Sequence, residues 1–263
     1  MNAMKKLISI FLLCQVFLLQ LAGQVSSYQP GEKVNFVIHY GAINAGMATL
    51  ELRKDSFSGR EVWHSAMEAR TTGIAEALFR VKDIYESYMN PATELPVKSI
   101  MNINEGRYHK YNVVLFDHAT RKDSAILTSN LTGIHIAPQG IYDILSSFYW
   151  FRNHNLPVIA NFKKGEMIKM TTWFFDDLYP LRMKYVGKEE IKTRAGKILC
   201  YKFNPVTEAG RLFKTQEDVS FWFSADKNLL PVKIRFNIFV GAFMVDMVSY
   251  EGLVYPLDIK KNN

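Results

Sequence analysis

Cysteine is almost missing from this chain: Cys14 and Cys200 are the whole supply in 263 residues. A disulfide framework and a thiolate metal cluster are therefore excluded. The sequence also has no Gly-x-Ser-x-Gly elbow, no His-Glu-x-x-His and no Cys-x-x-Cys. Gly41 to Gly46 has the spacing of a phosphate loop, but Met47 stands where that loop needs lysine, and a hairpin turn is the better reading. No catalytic residue, metal site or cofactor is assigned on these grounds. Clustered charge is lacking as well. The net charge of +7 is spread along the chain, and the one concentrated basic element is Lys260-Lys261, which argues against a nucleic-acid groove.

Acidic residues are absent from the first 24 positions. Lys5 and Lys6 precede the apolar run Leu7 to Leu13, which continues through Val16 to Leu21 and ends in Ala22-Gly23-Gln24. Basic, then apolar, then small is the order of a secretory signal peptide. The run lies at the short end of the roughly 17–25 residues that span a bilayer, and Gln15 and Gln20 interrupt it. Residues 1–24 are therefore read as a cleaved signal, which lowers the net charge to +5 and leaves Cys200 as the one thiol. A lipoprotein is set aside because Phe11-Leu12-Leu13, not small residues, precede Cys14. The expected location is the periplasm or the outer membrane of a Gram-negative envelope.

Aromatic residues make up 13% of the chain, which suits pleated, half-buried surfaces. An internal repeat organises them. At a constant offset of 135 residues, Asp83, Leu95, Pro96, Val97, Lys98, Asn102, Ile103 and Gly106 recur as Asp218, Leu230, Pro231, Val232, Lys233, Asn237, Ile238 and Gly241. Upstream, Pro30-Gly31-Glu32 answers Lys164-Gly165-Glu166, and Leu78-Phe79-Arg80 answers Leu212-Phe213-Lys214. The halves run over about 30–106 and 164–241 inside one β-rich domain of about 28–255, with a flexible basic tail over 256–263. Val34, Phe36, Ile38 and Tyr40 alternate with polar residues, as do Val219, Phe221 and Phe223, the period of half-buried strands. Turn residues separate these strands, as in antiparallel hairpins.

One helix is predicted in the linking segment, over about 141–153. Ile141, Ile144, Leu145, Phe148 and Phe151 or Arg152 share one face, with Asn155-Leu156-Pro157 marking the end. Shorter helical turns are predicted at 74–80 and 209–213. The expected fold is mainly β: a curved antiparallel sheet or half-open barrel from two repeated halves, with the amphipathic helix packed across it.

Several segments carry a resemblance: Tyr40 to Ala48, Asp83-Ile84-Tyr85-Glu86-Ser87-Tyr88, Asp143 to Tyr149, and Phe221-Trp222-Phe223-Ser224 through Pro231-Val232. On these the chain resembles an exported bacterial family catalogued as domain of unknown function 3108, from about Pro30 to Gly252. That resemblance implies no known activity. At the level of fold it is similar to the half-open barrel of the LolA and LolB lipoprotein carriers, an analogy that carries over no site.

Candidate residues fall in two sets. Phe148, Trp150 and Phe151 of the helix, with Trp173, Phe174, Phe175, Phe239 and Phe243, would line a hydrophobic cavity between helix and sheet. Asp83, Tyr85 and Glu86 are the polar candidates. Asp117-His118 reads as a turn and Asp176-Asp177 as turn carboxylates. The expected role is non-enzymatic binding of a lipid or lipoprotein, or of an envelope protein partner, by a monomer. A periplasmic hydrolase using Asp117/His118 or Asp83/Glu86 and a structural assembly module are the alternatives.

Overall fold

The computed structural model describes residues 26–206, 218–237 and 241–260. The signal reading and the helical turn predicted at 209–213 lie outside these residues.

The first half lays down β1 (Lys33–Tyr40), β2 (Ile43–Phe57), β3 (Arg60–Thr71), the short helix α1 (Gly73–Leu78), β4 (Lys82–Met89), β5 (Pro96–Glu105) and β6 (Tyr108–Asp117). A linking stretch adds β7 (Ser124–Ser129), β8 (Gly133–Pro138), β9 (Tyr142–Asp143) and helix α2 (Ile144–Ile159). The second half runs β10 (Met167–Phe174), β11 (Asp177–Lys192), β12 (Lys197–Pro205), β13 (Val219–Ser224), β14 (Pro231–Asn237) and β15 (Ala242–Glu251), followed by β16 (Ile259–Lys260).

All these strands join one sheet, in the order β8-β7-β6-β5-β4-β3-β2-β1-β15-β14-β13-β12-β11-β10-β9, with β16 added beside β12. Successive strands pair antiparallel; β9 alone lies parallel to its neighbour β10. The alternation read from the sequence sets the inner face: Val34 and Phe36 of β1 and Leu50 and Leu52 of β2 are buried.

The halves match in detail. Gly31 donates its N–H to the Leu52 carbonyl at 2.7 Å and Leu52 donates to Glu32 at 2.9 Å; Gly165 donates to Tyr185 at 2.9 Å and Tyr185 to Glu166 at 2.8 Å. Both glycines need a left-handed backbone, φ 100° and 98°. Before the two Leu-Pro steps, Glu94 and Leu229 also hold positive φ, 59° and 46°.

The last strand of the second half, β15, pairs with β1 over eight positions. The reciprocal junction, β6 to β10, has no ladder: β6 pairs β7, and β10 pairs the two-residue β9. The sheet is therefore open, and side chains fill the seam. Trp173 of β10 is buried among Val114 and Phe116 of β6, Leu127 of β7 and Ile141.

The helix differs from its predicted span of 141–153. Tyr142 and Asp143 are strand, and Asp143 is the N-cap, accepting from Leu145 N at 2.8 Å and Ser146 N at 2.9 Å while its own N–H donates to Ser146 Oγ. This is a capping box with serine at its third position. The helix also runs past Pro157, because burial of Ile159 in the second-half core offsets the one backbone bond that proline removes. Nor is its buried surface one apolar stripe. Enclosed by the sheet, α2 buries Ser146, Ser147, Arg152 and Asn155 besides its apolar residues.

Arg152 is fully buried and grips Glu32 with both terminal nitrogens, at 2.5 and 2.8 Å. It also donates to the carbonyls of Ser27 and Asn228. The tail expected to be flexible from residue 256 is docked as far as Lys260: Leu257 enters the core, β16 pairs β12 and Lys260 bonds Glu190.

Candidate functional site

The seam between β6 and β10 holds a narrow cleft. Its floor is the start of α2, Ile144 and Leu145, with Asp143 behind. Tyr85 of β4 and Met101 of β5 form one wall, and Trp173, Phe174 and Phe175 form the other. The free volume is about 40 Å³, room for a few waters and far below the roughly 300 Å³ at which small-molecule pockets begin.

Phe175 and Asp176 make a two-residue turn with φ of 54° and 63°, since Phe174 pairs with Asp177. A primed turn of this kind suits a hairpin but calls for Asn or Gly. A phenylalanine at positive φ is strained, and such strain gathers at functional sites. Side chains hold the tip in place. Asp176 accepts from Asn112 Nδ2 at 2.8 Å and lies 3.0 Å from Ser129 Oγ. Lys110 sits 4.6 Å over the Phe175 ring, and Phe174 lies 6.3 Å from the Tyr85 ring.

Two buried polar groups mark the cleft. Burial pushes the Asp143 carboxyl up to about 6, against the opposing pull of Ser87, which donates at 2.5 Å, and of the backbone N–H groups it caps. Trp173 Nε1 is buried without a hydrogen-bond partner among the described residues. Such a group costs about 1–3 kcal/mol in a native interior. Burial also raises the Tyr85 hydroxyl to about 12.

The structure gathers Trp173, Phe174, Phe175 and Tyr85 at this cleft. Phe148 and Phe151 lie behind it as core, against Phe223 at 6.4 and 5.0 Å. Trp150 stacks on His154 at 4.8 Å, half-buried and apart. Phe243 meets Tyr40 at the β1–β15 junction, 5.3 Å away, and Phe239 lies outside the described residues. The single cavity expected to join helix and sheet aromatics is therefore corrected: the described residues lie in four places, the cleft, the core behind it, the far side of α2 and the β1–β15 junction.

Of the polar candidates, Tyr85 and Glu86 both border the cleft, but the carboxylates do not converge. Asp83 accepts from Asn104 N at 2.9 Å, whereas Glu86, three residues along the strand, points through the other face to Tyr88 and His64. His64 lies buried there, 3.3 Å from both Glu86 and Asp55, and desolvation with Arg53 nearby lowers its proton affinity. Asp117 caps its turn through Ala119 N and Thr120 N, while His118 Nε2 meets the Pro96 carbonyl at 3.1 Å. Cys200 is buried, and burial pushes its thiol up to about 12.

Asn112 and Asp143 complete the cleft, with Ser129 bonded to Asp176 beside it; Asp143 entered the sequence reading only within the family resemblance, and the other two not at all. Asn112 carried a faint signal, as the polar member of an inward row with Val114 and Phe116. A larger open groove of about 380 Å³ lies on the outer face beside Ile191 to Arg194. Its carboxylate, Asp246, is already held by His39 at 3.0 Å and Lys233 at 3.3 Å.

An open antiparallel sheet wrapped around one buried helix defines a barrel-like β protein. The chain belongs to the family described as protein of unknown function DUF3108, which matches residues 35–248. Its fold is similar to the crystal structure of a beta-barrel-like protein of domain of unknown function DUF1849 from Brucella abortus. That likeness has a TM-score of 0.54 at 7% identity and covers 85% of this chain and 98% of the other. No curated protein matches the sequence.

Proposed function

We propose that this protein is an exported, non-enzymatic envelope component that binds a hydrophobic, lipid-like ligand, and that the seam cleft is its entrance. The observation that carries this reading is the β10–β11 tip: a strained aromatic turn held across an unladdered seam by side chains. A cleft of about 40 Å³ admits no acyl chain, so a ligand enters only as this tip lifts away from β6. Lifting it breaks two hydrogen bonds to Asp176 and the Lys110–Phe175 contact but no β6–β10 ladder, and exposes Phe174, Tyr85 and Leu145; reaching Trp173 also frees it from its bridge to Asp143. Binding is favoured over hydrolysis because Asp117 and His118 are engaged in turn contacts, while Asp83 and Glu86 leave opposite faces of β4.

The test uses the chain without residues 1–24. Organic extraction and mass spectrometry should find co-purified lipid, and a fluorescent fatty-acid analogue should quench emission from Trp173. Asp176→Ala removes both bonds, about 1–3 kcal/mol together on a tip near solvent, so it should speed uptake about tenfold. An empty protein that takes up no analogue, with or without Asp176→Ala, overturns the reading.

A further inference from the structure

In an antiparallel meander alternate turns leave the sheet at the same edge. One edge of this sheet therefore carries the β1–β2 turn, the α1 connection, the β5–β6 and β7–β8 turns and the β10–β11 tip. Ile43, Ile74, Leu78, Phe79, Leu131 and Ile134 stand on this edge, each between 50% and 81% exposed. The opposite edge carries fewer: Ser58-Gly59, Asn90 to Glu94, His118 to Asp123 and Asp226 to Asn228 hold none of the large exposed apolar side chains, and Val158 and Met167 flank the α2–β10 connection at 50% and 43% exposed. Single exposed apolar residues need no explanation, but a set gathered at one end of a molecule does.

Charge says what this end faces. Arg70, Lys82 and Arg107 are exposed around α1, and no carboxylate among the described residues lies within 4.0 Å of them. The acids of the same edge are engaged with protein groups, although Glu76, Glu105 and Asp177 are themselves exposed, Asp177 accepting from Leu178 N. Glu76 pairs Arg80 at 3.8 Å, Asp83 bonds Asn104 N and Glu105, and Asp176 takes Asn112 and Ser129. Apolar side chains at the tip, flanked by unpaired cations, are the pattern of a surface that inserts at a lipid headgroup boundary.

We infer that this edge docks the protein on an anionic lipid bilayer, with Ile74 and Leu78 of α1 entering the headgroup layer and Arg70, Lys82 and Arg107 meeting lipid phosphates. The inference is separate from ligand uptake at the seam, which is measured without vesicles, so either can fail alone.

The experiment is flotation of the chain without residues 1–24 on vesicles of phosphatidylglycerol and phosphatidylethanolamine, against pure phosphatidylcholine. Binding should appear on the anionic vesicles and fall in 0.5 M salt. Ile74→Ser with Leu78→Ser should weaken it at least tenfold at unchanged Tm, since both side chains are already exposed. Changing Arg70, Lys82 and Arg107 to Gln should cost about fivefold per cation. Three results overturn the inference: no flotation on anionic vesicles, equal binding to both vesicle types, or a serine double variant that binds like the parent. Sedimentation velocity supplies a fourth, self-association without vesicles that the serine variant abolishes, which would make the edge an interface between copies of this chain.

Discussion

At the scale of single residues, Arg152 is the one whose place is furthest from its usual habit. A guanidinium belongs at a surface, yet here it is fully buried, stacked near Tyr28, Phe148 and Tyr149 and bidentate on Glu32. Removing one partner from such a pair leaves the other charge uncompensated, at about 3–5 kcal/mol. Replacing both with apolar residues of similar size is often close to neutral. Urea unfolding should therefore show Glu32→Met and Arg152→Met each losing about 3–5 kcal/mol, with the double variant within about 2 kcal/mol of the parent. If the double variant instead loses the sum of the two, the residues are not coupled. Half of this pair was legible in the sequence. Arg152 falls in the apolar stripe with Phe148 and Glu32 sits in the repeated Gly-Glu turn, but nothing along the chain links positions so far apart. The same holds for Asp176 with Asn112 and Ser129, whose partnership exists only once the seam is formed.

At the scale of elements, strands were easier to read than the helix. Period-two alternation and turn residues located the hairpins of both halves, because each strand carries its own pattern. The start of α2 was placed three residues early, because Ile141 and Tyr142 extend its apolar pattern while Asp143 ends it. That cap also titrates. Its folded carboxyl ionises near 6 against an ordinary 3.8, so between these values the folded state holds a proton that the unfolded chain has lost. Stability from this group is full below about pH 4 and is lost as pH rises through 6, by about 3 kcal/mol in the limit. Asparagine keeps the cap but carries no charge. Asp143→Asn should match the parent at pH 4 and exceed it progressively by pH 8 in urea unfolding. Asp143→Ala should lose about 1–2 kcal/mol at pH 4 through the lost cap. An Asp143→Asn variant that tracks the parent at every pH would mean that the carboxyl does not titrate in this window.

At the scale of the whole molecule, the two halves meet at two junctions of different kinds. β1 and β15 share a continuous ladder, while β6 and β10 are joined by Trp173, Asp176 and their contacts. The sequence led to a curved sheet or half-open barrel, and the linking strands β7 to β9 keep it open by taking the free edges of β6 and β10 for themselves. Their short and weakly patterned segments are why the sequence placed a helix there but not these strands. Backbone pairing is cooperative and side-chain contacts are less so, which sets where the molecule opens first. Native-state hydrogen exchange should find amides of β1 and β15 exchanging only by global unfolding. Those of β7, β8 and the Phe174–Leu178 tip should open at a lower free energy, and as one group. Asp176→Ala should lower that second value by about 1–3 kcal/mol and leave the β1–β15 value nearly unchanged. Equal protection at both junctions would mean that the seam is as firmly closed as the ladder, and the entrance proposed at the tip would then have no motion to open it.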